Sequence, residues 1–124
     1  MDLSTKTEGP RNLGYVLSDQ GSISYDTVTI VSGSGKLAAG TLLGQVTASK
    51  KYAPSPATGA TGAETAKVVL AYAVDATSAD VDAVVTARLS EVKKSKLIVD
   101  ATVNDATKLA AKHAQLVAAL IIPR

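Results

Sequence analysis

The side chains that could do chemistry are few. His113 is the single histidine, cysteine is absent, and the acidic residues Asp75, Asp80 and Asp82 sit in and beside one turn-like stretch. Metal binding lacks ligands, because one imidazole and scattered carboxylates do not make a tetrahedral nitrogen–sulfur set. No glutamate follows the aspartates at calcium-loop spacing, so they read as turn formers and solvent-facing charge. Nucleophilic catalysis needs a serine beside His113 and an orienting acid, and no glycine-flanked serine elbow occurs. His113 falls among apolar residues at helical spacing, which favours packing over catalysis.

Two basic features invite a functional reading. Gly35-Lys36 resembles the end of a phosphate loop, which requires a glycine five residues earlier and Ser or Thr after the lysine. Ile30 and Leu37 occupy those places, so such a loop can neither wrap a phosphate nor hold magnesium. Lys93, Lys94 and Lys96 cluster without interleaved aromatics, and a solvated hairpin tip explains them better than nucleic-acid contact. The expected catalytic, cofactor and metal sets are therefore all empty, and the chain is expected not to be an enzyme. A paired-carboxylate hydrolase stays formally open, since proximity in space is invisible in sequence.

The elements that would position any site are clearer. The stretch Leu37-Ala38-Ala39-Gly40-Thr41-Leu42-Leu43-Gly44-Gln45-Val46-Thr47 places two glycines around apolar residues. Gly40 suits a tight turn needing positive φ, and Gly44 suits a bulge or a place where another backbone passes closely. Ile23, Tyr25, Val28 and Ile30 predict a strand, Val68–Val74 a strand buried on both faces, and Val81–Ala87 another. Ala53–Ala63, with two prolines and two glycines, predicts an exposed loop extending from the body. Asn104 or Asp105 caps a predicted helix of about four turns whose apolar stripe is Ala106, Leu109, Ala110, His113, Leu116, Val117 and Leu120, with Ile121 and Ile122 ending it before Pro123.

At 124 residues the chain makes one domain with a real core. Leu, Ile and Val supply 31 residues and Ala 21, with no Phe or Trp. Such small side chains bury little area each, so further burial against copies or a partner is expected to add stability. The net charge of +2 is not gathered into a basic stripe, which gives no reason to expect nucleic acid or an anionic membrane as partner. No apolar run approaches a membrane span and the polar N-terminus is unlike a secretion signal, so a soluble protein is expected. Residues 1–14 read as an extended arm.

The ordered set of segments resembles the lambda-type bacteriophage head decoration proteins. It comprises Tyr15–Asp19, Gly21, Ile23-Ser24, Val28–Ile30, Leu37–Thr47, Lys51–Pro54, the loop ending at Gly62, Val74–Thr77, Val84-Val85, Arg88–Val92 and Leu120–Arg124. Three positions depart from the family's habit: Thr61 for an aspartate, Leu120 for a glycine before the final isoleucines, and no aromatic residue after Leu97.

The resemblance implies a mainly β, β-clip-like small domain (residues 25–124) with a C-terminal helix, preceded by an extended capsid-binding arm (residues 1–24). It implies a homotrimer on the exterior of the expanded phage head at threefold and quasi-threefold sites, made in the host cytoplasm and cementing the shell against packaged DNA. The partner it implies is the phage major capsid protein, with no direct nucleic-acid or membrane contact. Leu13, Tyr15, Val16, Leu17, Ser18, Ile23 and Ser24 are the expected capsid-binding residues, Val16, Leu17 and Ile23 anchoring an arm strand that pairs through its main chain. Removing residues 1–24 is expected to leave a folded trimer unable to bind heads. The other classes considered are a trimeric β-clip-type small-molecule hydrolase and a virion-surface adhesion module.

Overall fold

A computed structural model describes residues 11–124; the first ten residues of the expected arm lie outside the described residues. The mainly β domain with a C-terminal helix expected from the sequence is what the chain forms. The strands are β1 (Val16–Ser18), β2 (Tyr25–Ile30), β3 (Gly35–Leu37), β4 (Leu42–Gln45), β5 (Tyr52–Pro54), β6 (Val68–Leu70), β7 (Val74–Ala76), β8 (Val81–Thr86), β9 (Ser90–Val92) and β10 (Ile121–Pro123). One α-helix, α1 (Ala106–Ala118), precedes β10.

Five strands close a small barrel in the order β2-β5-β4-β6-β8, a three-stranded sheet runs β1-β9-β10, and β3 pairs with β7. The barrel's longest seam joins β2 to β8 antiparallel, from Tyr25 opposite Thr86 to Ile30 opposite Val81. Its interior is filled by Ile30, Leu43, Val68, Leu70, Ala76, Ala83 and Val85. Few strands enclose little space, so a barrel this narrow suits aliphatic side chains and has no use for Phe or Trp.

A second core lies outside the barrel wall, beneath the three-stranded sheet and α1. It consists of Tyr15, Leu42, Ala66, Val69, Val92, Leu116 and Ile121. Successive strand residues point to opposite faces. Leu42 therefore enters the outer core and Leu43 the barrel, while Val69 points out between inward Val68 and Leu70. This double burial is why the runs in β4 and β6 are continuously apolar.

Both glycines of the Leu37–Thr47 stretch act as the sequence suggests. Gly40 has φ +100°, and a Cβ there would lie 2.6 Å from Lys96 O. At Gly44 the backbone of Ala63 passes so closely that a Cβ would sit 2.1 Å from its carbonyl oxygen.

Four expectations are corrected. The run Val68–Val74 is not one strand: it breaks after the buried Ala71, and Val74 begins β7 in a different sheet. Ile121 and Ile122 do not end the helix. α1 stops at Ala118, Leu120 turns the chain with φ +65°, and β10 then pairs parallel to β9. The stripe on α1 is rotated from the expected one, since Lys112 and Leu116 are its buried residues while Leu109, Val117 and Leu120 are exposed.

The loop Ala53–Ala63 does not project. Ser55 and Ala63 are buried, and Thr47 N–H donates to Thr61 O at 2.8 Å. Lys112 Nζ, from the helix, donates to Ser55 Oγ at 2.8 Å and to Pro56 O and Glu64 O at 2.6 Å each. Only Thr58–Thr61, at the loop's tip, are exposed.

Candidate interaction surface

The described part of the expected arm is built into the body. Leu13 N–H donates to Ala71 O at 2.9 Å, and Ala73 N–H donates to Asn12 Oδ1 at 3.0 Å, tying the segment to the loop between β6 and β7. Tyr15 is buried in the outer core, its hydroxyl 2.6 Å from Thr86 Oγ1 and 3.3 Å from Val69 O. Burial pushes the Tyr15 phenol up, with the Thr86 hydrogen bond opposing.

Val16–Ser18, expected as a strand offered to a partner, is paired antiparallel with β9 of its own chain. The register steps from Val16 opposite Val92 to Ser18 opposite Glu91, so Leu17 is the extra residue of a bulge. The sheet's other edge carries Pro123, which has no N–H to give. Both edges are thereby guarded against strand addition. Among the expected capsid contacts, Tyr15 and Ser24 are buried and point into the fold, Leu13 and Val16 are half-buried, and Leu17, Ser18 and Ile23 are exposed.

Ser24 explains how the segment turns back. Its Oγ accepts from Gln20 N–H at 2.8 Å and donates to Leu89 O at 3.2 Å, and Ala87 N–H donates to Ser24 O at 2.7 Å. Nearby, Tyr25 donates its hydroxyl to Asp19 Oδ2 at 2.5 Å. Desolvation and that carboxylate push the Tyr25 phenol up to about 12, and the same bond holds Asp19 below its ordinary range.

The sequence reading missed the feature that now stands out, a ridge of two leucines. Leu89 and Leu120 are 40% and 56% exposed, and both hold left-handed backbone, with φ +53° and +65°. Ser90 N–H donates to Leu120 O at 3.3 Å, which sets the two turns side by side. A side chain with a Cβ is strained there and glycine is the usual occupant, as at the end of a helix. The one available signal was the departure at Leu120 from a glycine.

A groove lies on each side of this ridge. The first, about 470 Å³, runs between the barrel and α1, lined by Ala66, Val68, Ala87, Ala118, Ala119 and Leu120 with Arg88 and Asp26 at its rim. The second, about 490 Å³, lies over the three-stranded sheet between Ser18, Leu89, Glu91, Leu120 and Ile122. Arg88 pairs with Asp26 and donates to Ile23 O at 2.7 Å, and Arg124 Nε pairs with Glu91 Oε2 at 2.8 Å. The Asp26 carboxylate pushes the Arg88 guanidinium further up.

Chemically the surface offers apolar contact, the ion pairs Arg88–Asp26 and Arg124–Glu91, and in the first groove the polar side chains of Lys67 and Gln115. Among the described residues no group of three or more histidine, cysteine, aspartate and glutamate side chains could hold a metal ion. No helix among them is long and apolar enough to cross a membrane. His113 Nε2, on α1, is buried without a hydrogen-bond partner.

No curated protein matches the chain. The model of one protein family, described as bacteriophage lambda head decoration protein D, matches residues 5–121, and on that near-complete match the chain belongs to this family of phage head decoration proteins.

Proposed function

We propose that this protein is a structural component of a phage virion, a trimer bound to the outer surface of the expanded head at its threefold and quasi-threefold sites. There it holds neighbouring capsid subunits together against the pressure of packaged DNA. The family match over residues 5–121 carries the reading. The exposed apolar residues Leu17, Ile23, Leu89 and Leu120 support it, because an aliphatic-rich fold that leaves large apolar groups in water gains stability when a partner covers them.

Three copies on one rigid trimer turn modest single contacts into avidity, since the second and third engagements are effectively intramolecular. The capsid-facing residues would be Leu17, Ser18 and Ile23 together with the segment before Arg11; Tyr15 and Ser24 would act by fixing that segment to the body. Contact would be made by side chains at the bulge and turn, because the edge of β1 is guarded.

The test is addition of the purified protein to expanded heads that lack decoration, followed by electron microscopy and a heat or osmotic challenge. Outward knobs at threefold positions and higher survival are expected. Heads that stay bare at saturating protein would overturn the proposal. Leu17→Ser with Ile23→Ser should weaken head binding while leaving the fold intact.

A further inference from the structure

We propose that the groove between the barrel and α1 docks an extended segment of another protein, one that carries a carboxylate beside an aliphatic side chain. This contact is separate from the bulge and turn at Leu17 and Ile23. It goes beyond the proposed function, because it is a property of the free protein and holds whether or not the chain meets a phage head.

The first observation is a surplus of hydrogen-bond donors. Lys67 is exposed at the groove, and its ammonium meets no carboxylate among the described residues; its one bond goes to Gln45 Oε1 at 3.3 Å. Gln115 accepts Ala66 N–H with its Oε1 at 2.8 Å, which orients the amide and leaves the Nε2 protons over. The Tyr52 and Thr65 hydroxyls, also in the lining, make no hydrogen bond with another described residue. Asp26 is the one carboxylate in this lining, and Arg88 already holds it. A complementary occupant must bring acceptors, above all a carboxylate for Lys67.

The second observation is the floor between these donors. Ala66, Val68, Ala87, Ala118 and Ala119 leave about 470 Å³ free. That lies within the roughly 300–1,000 Å³ of sites that enclose a ligand. Small side chains on both walls leave depth for a leucine or isoleucine side chain, whose burial supplies the attraction.

The third observation is how the donors are distributed. Thr65 and Lys67 precede β6, Tyr52 lies on β5 and Gln115 on α1. Donors on three elements around an aliphatic floor match a ligand in which acceptors alternate with aliphatic groups. Extended peptide has that chemistry, since carbonyl oxygens flank each side chain. A nucleic-acid backbone would find a single unpaired cation here, too little for phosphate-driven binding. An exposed ion pair adds little affinity, so the carboxylate sets the register while the aliphatic group binds.

The test uses the isotopically labelled full chain and the blocked peptide acetyl-Ala-Glu-Leu-Ala-amide, followed by NMR. Titration should shift the methyl signals of Ala66, Ala87 and Ala118 and the amide signal of Lys67. A peptide with glutamine for the glutamate should bind about threefold more weakly, the effect of one exposed ion pair. One with serine for the leucine should bind at least about tenfold more weakly. Lys67→Gln should erase the preference for glutamate. Ala118→Leu, at an exposed helical position, should fill the groove and abolish binding, and neither substitution touches the core.

Absence of shifts at millimolar peptide overturns the inference. So does equal affinity for the glutamate and glutamine peptides, a glutamate preference that survives Lys67→Gln, or binding that survives Ala118→Leu. Groove signals that move when the protein alone is diluted place a second copy there and overturn it as well. Head binding, measured separately, decides the virion reading, so the failure of one is distinct from the failure of the other.

Discussion

The Tyr15 hydroxyl sits 2.6 Å from Thr86 Oγ1, joining the described N-terminal segment to the barrel wall across 71 residues of sequence. Both groups are buried, and Tyr15 can donate to Val69 O while accepting from the Thr86 hydroxyl, for which it is the hydrogen-bond partner. Tyr15→Phe keeps the ring and strands Thr86 Oγ1, and should lower unfolding free energy by about 1–2 kcal/mol in denaturant titration. Truncation sharpens the point. A chain beginning at Arg11 should keep its fold, whereas removal of residues 1–24 strips β1 and Tyr15 from the outer core and should leave it largely unfolded by circular dichroism. A folded 25–124 fragment would show that the segment is a true appendage.

Lys112 is a buried ammonium whose three protons all reach oxygen, at Ser55, Pro56 and Glu64. It fastens the 55–64 loop to α1. Lys112→Met leaves two carbonyls and a hydroxyl in the interior without donors, so a loss of about 2–4 kcal/mol and faster amide exchange in residues 55–64 are expected. Desolvation holds its pKa below the ordinary 10.5, with the Glu64 and Asp100 charges opposing. Between the depressed value and 10.5 the unfolded chain binds more protons, so stability rises with pH in that window. The site tolerates the neutral amine, because the Ser55 hydroxyl can turn and donate to it. The stability gap between parent and Lys112→Met should therefore widen as pH rises toward 10.5; a gap that narrows would mean the charged form is the favoured one.

Local rules made much of the fold readable. Gly40 and Gly44 announced a turn and a close backbone approach, and Asp105 caps α1 by accepting Lys108 N–H at 2.8 Å. Where the sequence misled, a distant partner overrode the local pattern. Lysine reads as a surface residue, so nothing near Lys112 signals that it captures a loop some fifty positions earlier. Ile121 and Ile122 continue a helical stripe by spacing, and only pairing with β9 turns them into a strand. The ridge stayed hidden for a related reason, since strain at Leu89 and Leu120 exists only in backbone angles.

Gly44 allows a strict test of packing. A Cβ at this position meets Ala63 O at 2.1 Å and Thr65 O at 2.7 Å, and both are backbone atoms that cannot rotate away. Gly44→Ala should cost upwards of about 3 kcal/mol or abolish soluble expression, more than the cost of ordinary overpacking. Gly40→Ala adds a left-handed backbone to a 2.6 Å clash with Lys96 O and should be comparably severe. Melting temperatures near that of the parent would show that the 61–66 segment moves freely from β4.

Acid should destabilise the protein in two steps. Desolvation, with the charge of Lys94 adding to it, holds the His113 pKa below 6.5, and its buried Nε2 has no acceptor for an added proton. The unfolded chain then binds a proton that the fold resists, so stability drops as pH falls below 6.5. A second decline follows below pH 3.8, where Asp80, lowered by its bond from Lys51 and by Ser32 N–H, and Asp75, lowered by Thr77, must be protonated. Their stabilising effect is complete above 3.8 and is lost through the depressed folded values. Thermal melts across this range should show both limbs, with His113→Gln removing the upper one and Asp80→Asn shrinking the lower. A His113 imidazole that titrates at or above 6.5 by NMR would contradict the first limb.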